Sequence, residues 1–398
     1  MNREDFPMLN NDIIYLDNGA TTQKPKQVLN AITEYYTEYT ANAHRGDYDI
    51  SLRVDETYEG ARDLVRDFIN ASSRKEIVFT SGTTDSINMV ANGYFKNYLK
   101  PGDEIIITNT EHASNVLPWF RLTKTNGVKI VFCPLDENHY VTLDNLKSVI
   151  TPNTKLISLA HITNVIGDLR PIKEITSFAH QNNILVLLDG AQSVPHIKTD
   201  VQDLDVDFLA FSGHKMTGPT GIGVLYAKES LMEQIEPTNL GGGMNDSFDN
   251  PEEVFLKPIP TRLEAGTPNI EGAIGLAAAI KFLNEIGLDN IHNYEKELRS
   301  YFLDKLSTIE HLKIYNSKSD SGIVSFNVDG IFAQDVAVYL NKYHICVRAG
   351  NHCAKLIQNE LGEKNTVRLS IYLYNTKEEL DKVVELLKDK NRILNEML

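Results

Sequence analysis

Between Lys75 and Tyr226 the chain repeats one pattern: a short apolar run, a polar cluster, then a stretch with helical spacing. Five runs carry it: EIVFTSGTT (76–84), DEIIITNTEH (103–112), KLISLAHITNVIG (155–167), NILVLLDGAQ (183–192) and DFLAFSGHK (207–215). Most are nearly unbroken Ile, Val, Leu and Phe, the pattern of strands buried on both faces of a sheet. Helical patterns fall between several of them, as in DSINMVANGYFKNYL after the first. Strands alternating with helices predict a mostly parallel α/β sheet. Ligands bind such sheets outside the carboxyl ends of the strands, where each of these runs places its polar cluster.

After about Glu271 the rhythm changes. GAIGLAAAIKFLNEIG and residues 291–308 read as helices. GIVSFNV (322–328), ICVRAG and TVRLSIYLYN (366–375) read as strands, with a helix near 333–343. A last helix opens at Thr376, with Glu379 three residues on as a capping box. Its apolar face is Leu380, Val383, Val384 and Leu387. The pattern predicts two units: residues 1–265, a large α/β domain whose N-terminal residues pack on the smaller unit, and residues 266–398, a small α+β domain.

Composition narrows the function without naming it. The chain is 42% hydrophobic and 23% charged, ordinary for a soluble globular protein. A net charge of −15 argues against a nucleic-acid or anionic-membrane surface. No apolar run approaches the roughly 18 residues of a membrane span, and the N-terminus shows no signal-peptide pattern. Three cysteines without framework spacing fit a reducing, cytoplasmic setting. No CxxC or HExxH is present, so no dedicated metal site is expected.

The strand ends carry the chemistry. In SGTTDS (81–86), Thr83 and Thr84 open a helix, as a plain cap or as a phosphate cradle. Asp189 ends a very apolar strand, where a carboxylate needs a positive partner: a helix cap, a buried ion pair or a cationic ring nitrogen. Lys215 ends another and precedes Gly218, Gly221 and Gly223. A desolvated lysine there can lose its proton and attack a carbonyl to form a Schiff base. Ser212 and His214 beside it suit a phosphate, and His112 is either a structural histidine or a ring stacked on a planar ligand. A phosphate cradle, a ring-nitrogen carboxylate, a Schiff-base lysine and a stacking imidazole together describe a site for pyridoxal 5′-phosphate.

SGHK, DGAQ, SGTT and TEHAS, with RLEAGTPN (262–269), resemble the class V aminotransferase family of fold-type I enzymes, and within it the group II cysteine desulfurases of the SufS type. The resemblance runs from YLDNGATTQKP (15–25) to LYNTKEELDKV (373–383). It implies the pyridoxal-phosphate-dependent transferase fold, with a mostly parallel seven-stranded sheet. It implies that Lys215 carries the cofactor, Asp189 pairs with its ring nitrogen, Gln192 meets its ring hydroxyl and His112 stacks on the ring. Thr83, Thr84, Ser212 and His214 would take the phosphate, and Thr267 would reach the phosphate of a neighbouring subunit in a homodimer. L-cysteine would be the substrate, with Arg368 on its carboxylate, Arg348 and Asn164 beside it, and His44 and Arg45 on the rim.

The resemblance also gives a role to Cys353. In RAGNHCAKL (348–356) it lies in a polar, glycine-bearing loop, unlike Cys133 and Cys346, which sit in apolar runs. The expected role is to take sulfur from L-cysteine as a persulfide, with His352 and Lys355 favouring the thiolate. The 15 positions from Cys353 to Arg368 predict a short loop that hands its sulfur to a SufU-type or SufE-type acceptor. Asn351, Lys355 and Leu356 depart from the relatives' usual loop. The competing expectations are a selenocysteine lyase, another class V enzyme that has no need of Cys353, or a scaffold that has lost the chemistry.

Overall fold

The computed structural model describes residues 3–397. Seven strands form the main sheet: β1 (Ile77–Thr80), β2 (Glu104–Ile107), β3 (Lys129–Phe132), β4 (Thr154–Ala160), β5 (Leu185–Asp189), β6 (Phe208–Ser212) and β7 (Gly223–Ala227). Their order is β1-β7-β6-β5-β4-β2-β3, parallel throughout except for β7. Side chains along a strand point to alternate faces. Val186, Leu188, Leu209 and Phe211 accordingly join one core, while Leu187, Phe208 and Ala210 join the core on the other face. Both faces are dry, which is why the runs read as continuously apolar.

Register puts the strand ends level. Ala160 lies opposite Asp189, and Asp189 opposite Ala210. Ser212 and Thr80 both lie opposite Gly223. A Cβ on Gly223 would stand 2.4 Å from Gly82 Cα, so glycine here lets the turn after β1 close down on the end of β6.

A second sheet holds β8 (Leu312–Ile314), β9 (Ile323–Val328), β10 (Arg348–Gly350) and β11 (Thr366–Ser370), antiparallel in the order β8-β9-β11-β10. Its core includes Leu16, because the N-terminal segment crosses over: Ile14–Tyr15 pairs with Ile345–Cys346. The helix Ile270–Ile286 buries Ile270, Ile274, Leu276 and Leu283 in the core of the large sheet. The helix Lys377–Leu387 opens on the capping box of Thr376 and Glu379.

Two expected strands are shorter than their apolar runs. Residues 371–375 leave the sheet because Asn375 turns the chain, its Oδ1 accepting from Tyr372 N–H at 2.8 Å. ICVRAG divides at Val347, its halves pairing in different sheets. No helix among the described residues is long and apolar enough to cross a membrane.

Candidate active site

A cavity of about 180 Å³ opens at the carboxyl ends of β4, β5 and β6, and the loop after β10 adds to its wall. Asp189, Lys215, His112, Gln192, Ser212 and His214 all line it. Asp189 is buried, with one backbone donor, Ala191 N–H, at 3.0 Å. Burial pushes its carboxyl up to about 6, with Lys215 pulling the other way. Burial brings the Lys215 amine down to about 8; Asp189 opposes that shift and Arg368 and Arg348 add to it. The pair is thus an acid and a base drawn toward neutrality in one cavity.

One corner is made of hydroxyls and a helix start. Ser212 Oγ accepts from Thr83 N–H at 2.8 Å and lies 2.7 Å from Thr83 Oγ1. Thr84 Oγ1 meets Ser114 Oγ at 2.7 Å. Thr83 is the first residue of the helix Thr83–Val90, which has no side-chain cap, so the N–H groups left at its start suit an anion. His214 is brought down to about 4, first by burial and then by Lys215 and Lys24.

His112 is neutral. Burial, with Lys215 and the two arginines behind it, lowers its ring to about 3. Its Nδ1 accepts from Ser114 N–H at 3.2 Å, so the ring proton belongs on Nε2. Beneath it Glu111 pairs with the fully buried Arg170 at 2.5 Å and accepts from Ala160 N–H at 2.8 Å, which ties the His112 turn to the end of β4.

The opposite wall holds the arginines. Arg368 is buried; its Nη1 donates to Asn164 O at 3.1 Å and its Nη2 to Asp17 Oδ1 at 2.9 Å, while Nε has no partner. Asn164 Nδ2 donates to His352 O at 2.7 Å, which fastens this wall to the cysteine loop. Arg348 Nη2 lies 3.7 Å from Cys353 Sγ. Cys353 is exposed, with φ +55°, and Asn351 Oδ1 accepts its N–H at 3.1 Å. His352 does not serve the thiol as expected. Burial lowers it to about 3, and its Nε2 faces Thr366 O and Oγ1 at 3.0 Å. His352 and Cys353 both have positive φ, the histidine is buried and the thiol exposed, and Arg348 is the cation beside the sulfur.

Four expected residues are not among those lining the cavity: Cys353, which stands beside Arg348, and Thr267, Arg45 and His44, which lie apart on the surface. Thr267 is exposed and its Oγ1 accepts from Asn42 Nδ2 at 3.3 Å. Arg45 Nη2 donates to Gly266 O at 3.4 Å, and His44, raised by Glu59, pairs with Glu59 at 3.3 Å. They form their own surface cluster. Sequence reasoning missed Gly19, Ser114 and Asp17. The first and last sit in the YLDNGATTQKP motif, which was the available signal.

The sequence profile of the aminotransferase class-V family matches residues 14–383. A probable cysteine desulfurase of Halalkalibacterium halodurans is 45% identical over 94% of this chain and 94% of its own length. One of Staphylococcus epidermidis is 43% identical over 97% and 95%. Among solved structures, the cysteine desulfurase CsdA of Escherichia coli superposes with a TM-score of 0.93 at 37% identity, covering 100% of this chain and 98% of that one. The apo cysteine desulfurase of Thermococcus onnurineus also scores 0.93, at 39% identity over 97% and 96%.

Proposed function

The chain belongs to the aminotransferase class-V family, and we propose that within it the protein is a pyridoxal 5′-phosphate-dependent cysteine desulfurase: L-cysteine becomes L-alanine, and the sulfur is left as a persulfide on Cys353. The observation that carries this reading is one cavity lined by both Lys215 and a buried Asp189, with a thiol beside Arg348 of its wall.

The residues present fit the cofactor. A buried carboxylate with a single backbone donor suits a protonated ring nitrogen. The Thr83, Thr84, Ser212 and His214 corner suits a phosphate, Gln192 the ring hydroxyl and neutral His112 the ring face. Bound there, pyridoxal phosphate supplies an electrophilic carbon and an electron sink for charge on the substrate Cα. Lys215 is the amine that holds it, and with a pKa near 8 it moves a proton at Nζ close to neutrality.

Arg368 receives the substrate carboxylate. Its unpartnered Nε and the spare hydrogens of its Nη atoms suit a two-bond fork. Arg348 and Asn164 flank it. Cys353 Sγ, with Arg348 Nη2 beside it, attacks the substrate sulfur. The Cβ–S bond breaks, an S–S bond forms, and L-cysteine plus enzyme thiol give L-alanine plus enzyme persulfide with no net electrons gained or lost.

The wider expectations keep their place in this reading. Residues 1–265 and 266–398 are the two proposed units, and the helix at 270–286 reaches across that boundary to pack in the core of the large sheet. The protein is a cytoplasmic homodimer in which Thr267 reaches the neighbouring subunit's phosphate and His44 and Arg45 rim its site. The persulfide passes to an acceptor protein of the SufU or SufE type, for iron–sulfur assembly or other sulfur transfer. The test is alanine and sulfide release from L-cysteine with a reductant, wild type beside Cys353→Ala. Equal yields from wild type and none from the variant are expected; a variant that keeps cysteine activity removes Cys353 from the chemistry.

A further inference from the structure

Asp17 lies on the N-terminal segment, 351 positions before the arginine it touches. That segment is stitched to β11, the strand that bears Arg368. Ser370 N–H donates to Leu16 O at 2.7 Å, Gly19 N–H to Ser370 Oγ at 2.7 Å, and Asn18 Nδ2 to Ser370 O at 2.7 Å. Asp17 and Arg368 are therefore carried by neighbouring backbones that move as one piece.

The guanidinium is fixed on three sides. Asp17 Oδ1 holds Nη2 at 2.9 Å and Asn164 O holds Nη1 at 3.1 Å. Gly19 lies against its plane: a Cβ there would stand 3.0 Å from Cζ, 3.2 Å from Nη2 and 3.3 Å from Nη1. The fourth side, Nε, is buried with no partner. Arg368 lines the cavity and Asp17 does not, so the carboxylate works from behind the arginine. Ionised pairs make the strongest hydrogen bonds and the best defined geometry. A buried arginine that lacked this support would have several rotamers to choose from.

We propose that Asp17 is a positioning residue for substrate recognition: through its ion pair it locks the Arg368 guanidinium so that Nε and the remaining Nη hydrogens meet an amino-acid carboxylate. The inference rests on the reading of Arg368 as the carboxylate clamp. It makes Asp17 matter only to ligands that carry a carboxylate. L-Alanine and cysteamine separate the two cases, since cysteamine keeps the amine and thiol of the substrate and lacks its carboxylate.

The test is equilibrium binding of L-alanine and of cysteamine to the cofactor-loaded enzyme, read from the shift of its visible band. Wild type, Asp17→Ala, Asp17→Asn and Arg368→Lys are compared. Asp17→Ala is expected to weaken L-alanine about tenfold and to leave cysteamine unchanged. Asp17→Asn keeps an acceptor at the same distance and is expected to fall between the two, about threefold. In steady state the loss is expected in KM for L-cysteine more than in kcat. Equal loss for both ligands would reduce Asp17 to a structural role, and unchanged or tighter L-alanine binding would also overturn the proposal. Arg368→Lys separates the two failures. If it too binds L-alanine normally, the clamp reading falls and the proposal falls with it. If Arg368→Lys is selective for the carboxylate and Asp17→Ala is not, the proposal alone falls.

Discussion

Asp189→Asn is expected to stabilise the cofactor-free protein at neutral pH while loosening its hold on the cofactor. In the native chain burial raises the Asp189 carboxyl from its ordinary 3.8 to about 6. Between those values the folded protein keeps a proton that the unfolded chain has released, so stability falls as pH rises through this window. At 1.36 kcal/mol per tenfold change the loss is about 3 kcal/mol, complete somewhat above pH 6. Asparagine has no charge to desolvate. Its oxygen still accepts from Ala191 N–H, but its amide group has no partner assured in the pocket, which costs about 1 kcal/mol. The net gain is about 2 kcal/mol at pH 7. The assay is urea denaturation of the two cofactor-free proteins from pH 4 to pH 7. The variant is expected to start slightly less stable and to cross the wild type as pH rises, a change of about 2 kcal/mol in the gap. With the cofactor bound the order is expected to reverse, because the ring nitrogen loses its counter-charge. A gap that stays constant with pH would refute the argument that, in the cofactor-free protein, burial outweighs the Ala191 N–H and Lys215 at the Asp189 carboxylate.

Three further outcomes follow from the same geometry. His112, lowered to about 3, is expected to stay neutral across pH 5 to 8, so its imidazole NMR signals should not titrate there; a midpoint near 6.5 would contradict its burial. Gly19→Ala puts a Cβ 3.0 Å from Arg368 Cζ and is expected to raise KM for L-cysteine about tenfold with a smaller change in kcat. Thr376→Ala removes the hydroxyl that caps the helix Lys377–Leu387 and is expected to lower stability to urea by about 1 kcal/mol without altering turnover.

What the sequence disclosed, and what it hid, has a common cause. The five apolar runs were legible because both faces of the sheet are covered, so burial shows as an unbroken run. β3 was not, because it is the edge strand and exposes Lys129 and Phe132. β7 was hidden because Gly223, which reads as loop, is there for close approach to Gly82. The same logic governs the site. Asp189, Lys215 and Arg368 announce themselves as charges inside apolar runs, where a strand gives no local reason for them. Asp17 and Gly19 carry no such contradiction, since both look at home in a turn. Their work is done on a residue about 350 positions away, across a contact that no window of sequence contains. His352 was misread for the converse reason. Closeness to Cys353 in the chain suggested closeness in space, yet a loop with two successive positive φ angles buries the histidine and exposes the thiol. A residue whose chemistry conflicts with its local pattern is thus visible from sequence. A residue that positions another shows only once the backbone has brought the two together, and for that reason the ion pair behind Arg368 had to be read from the fold.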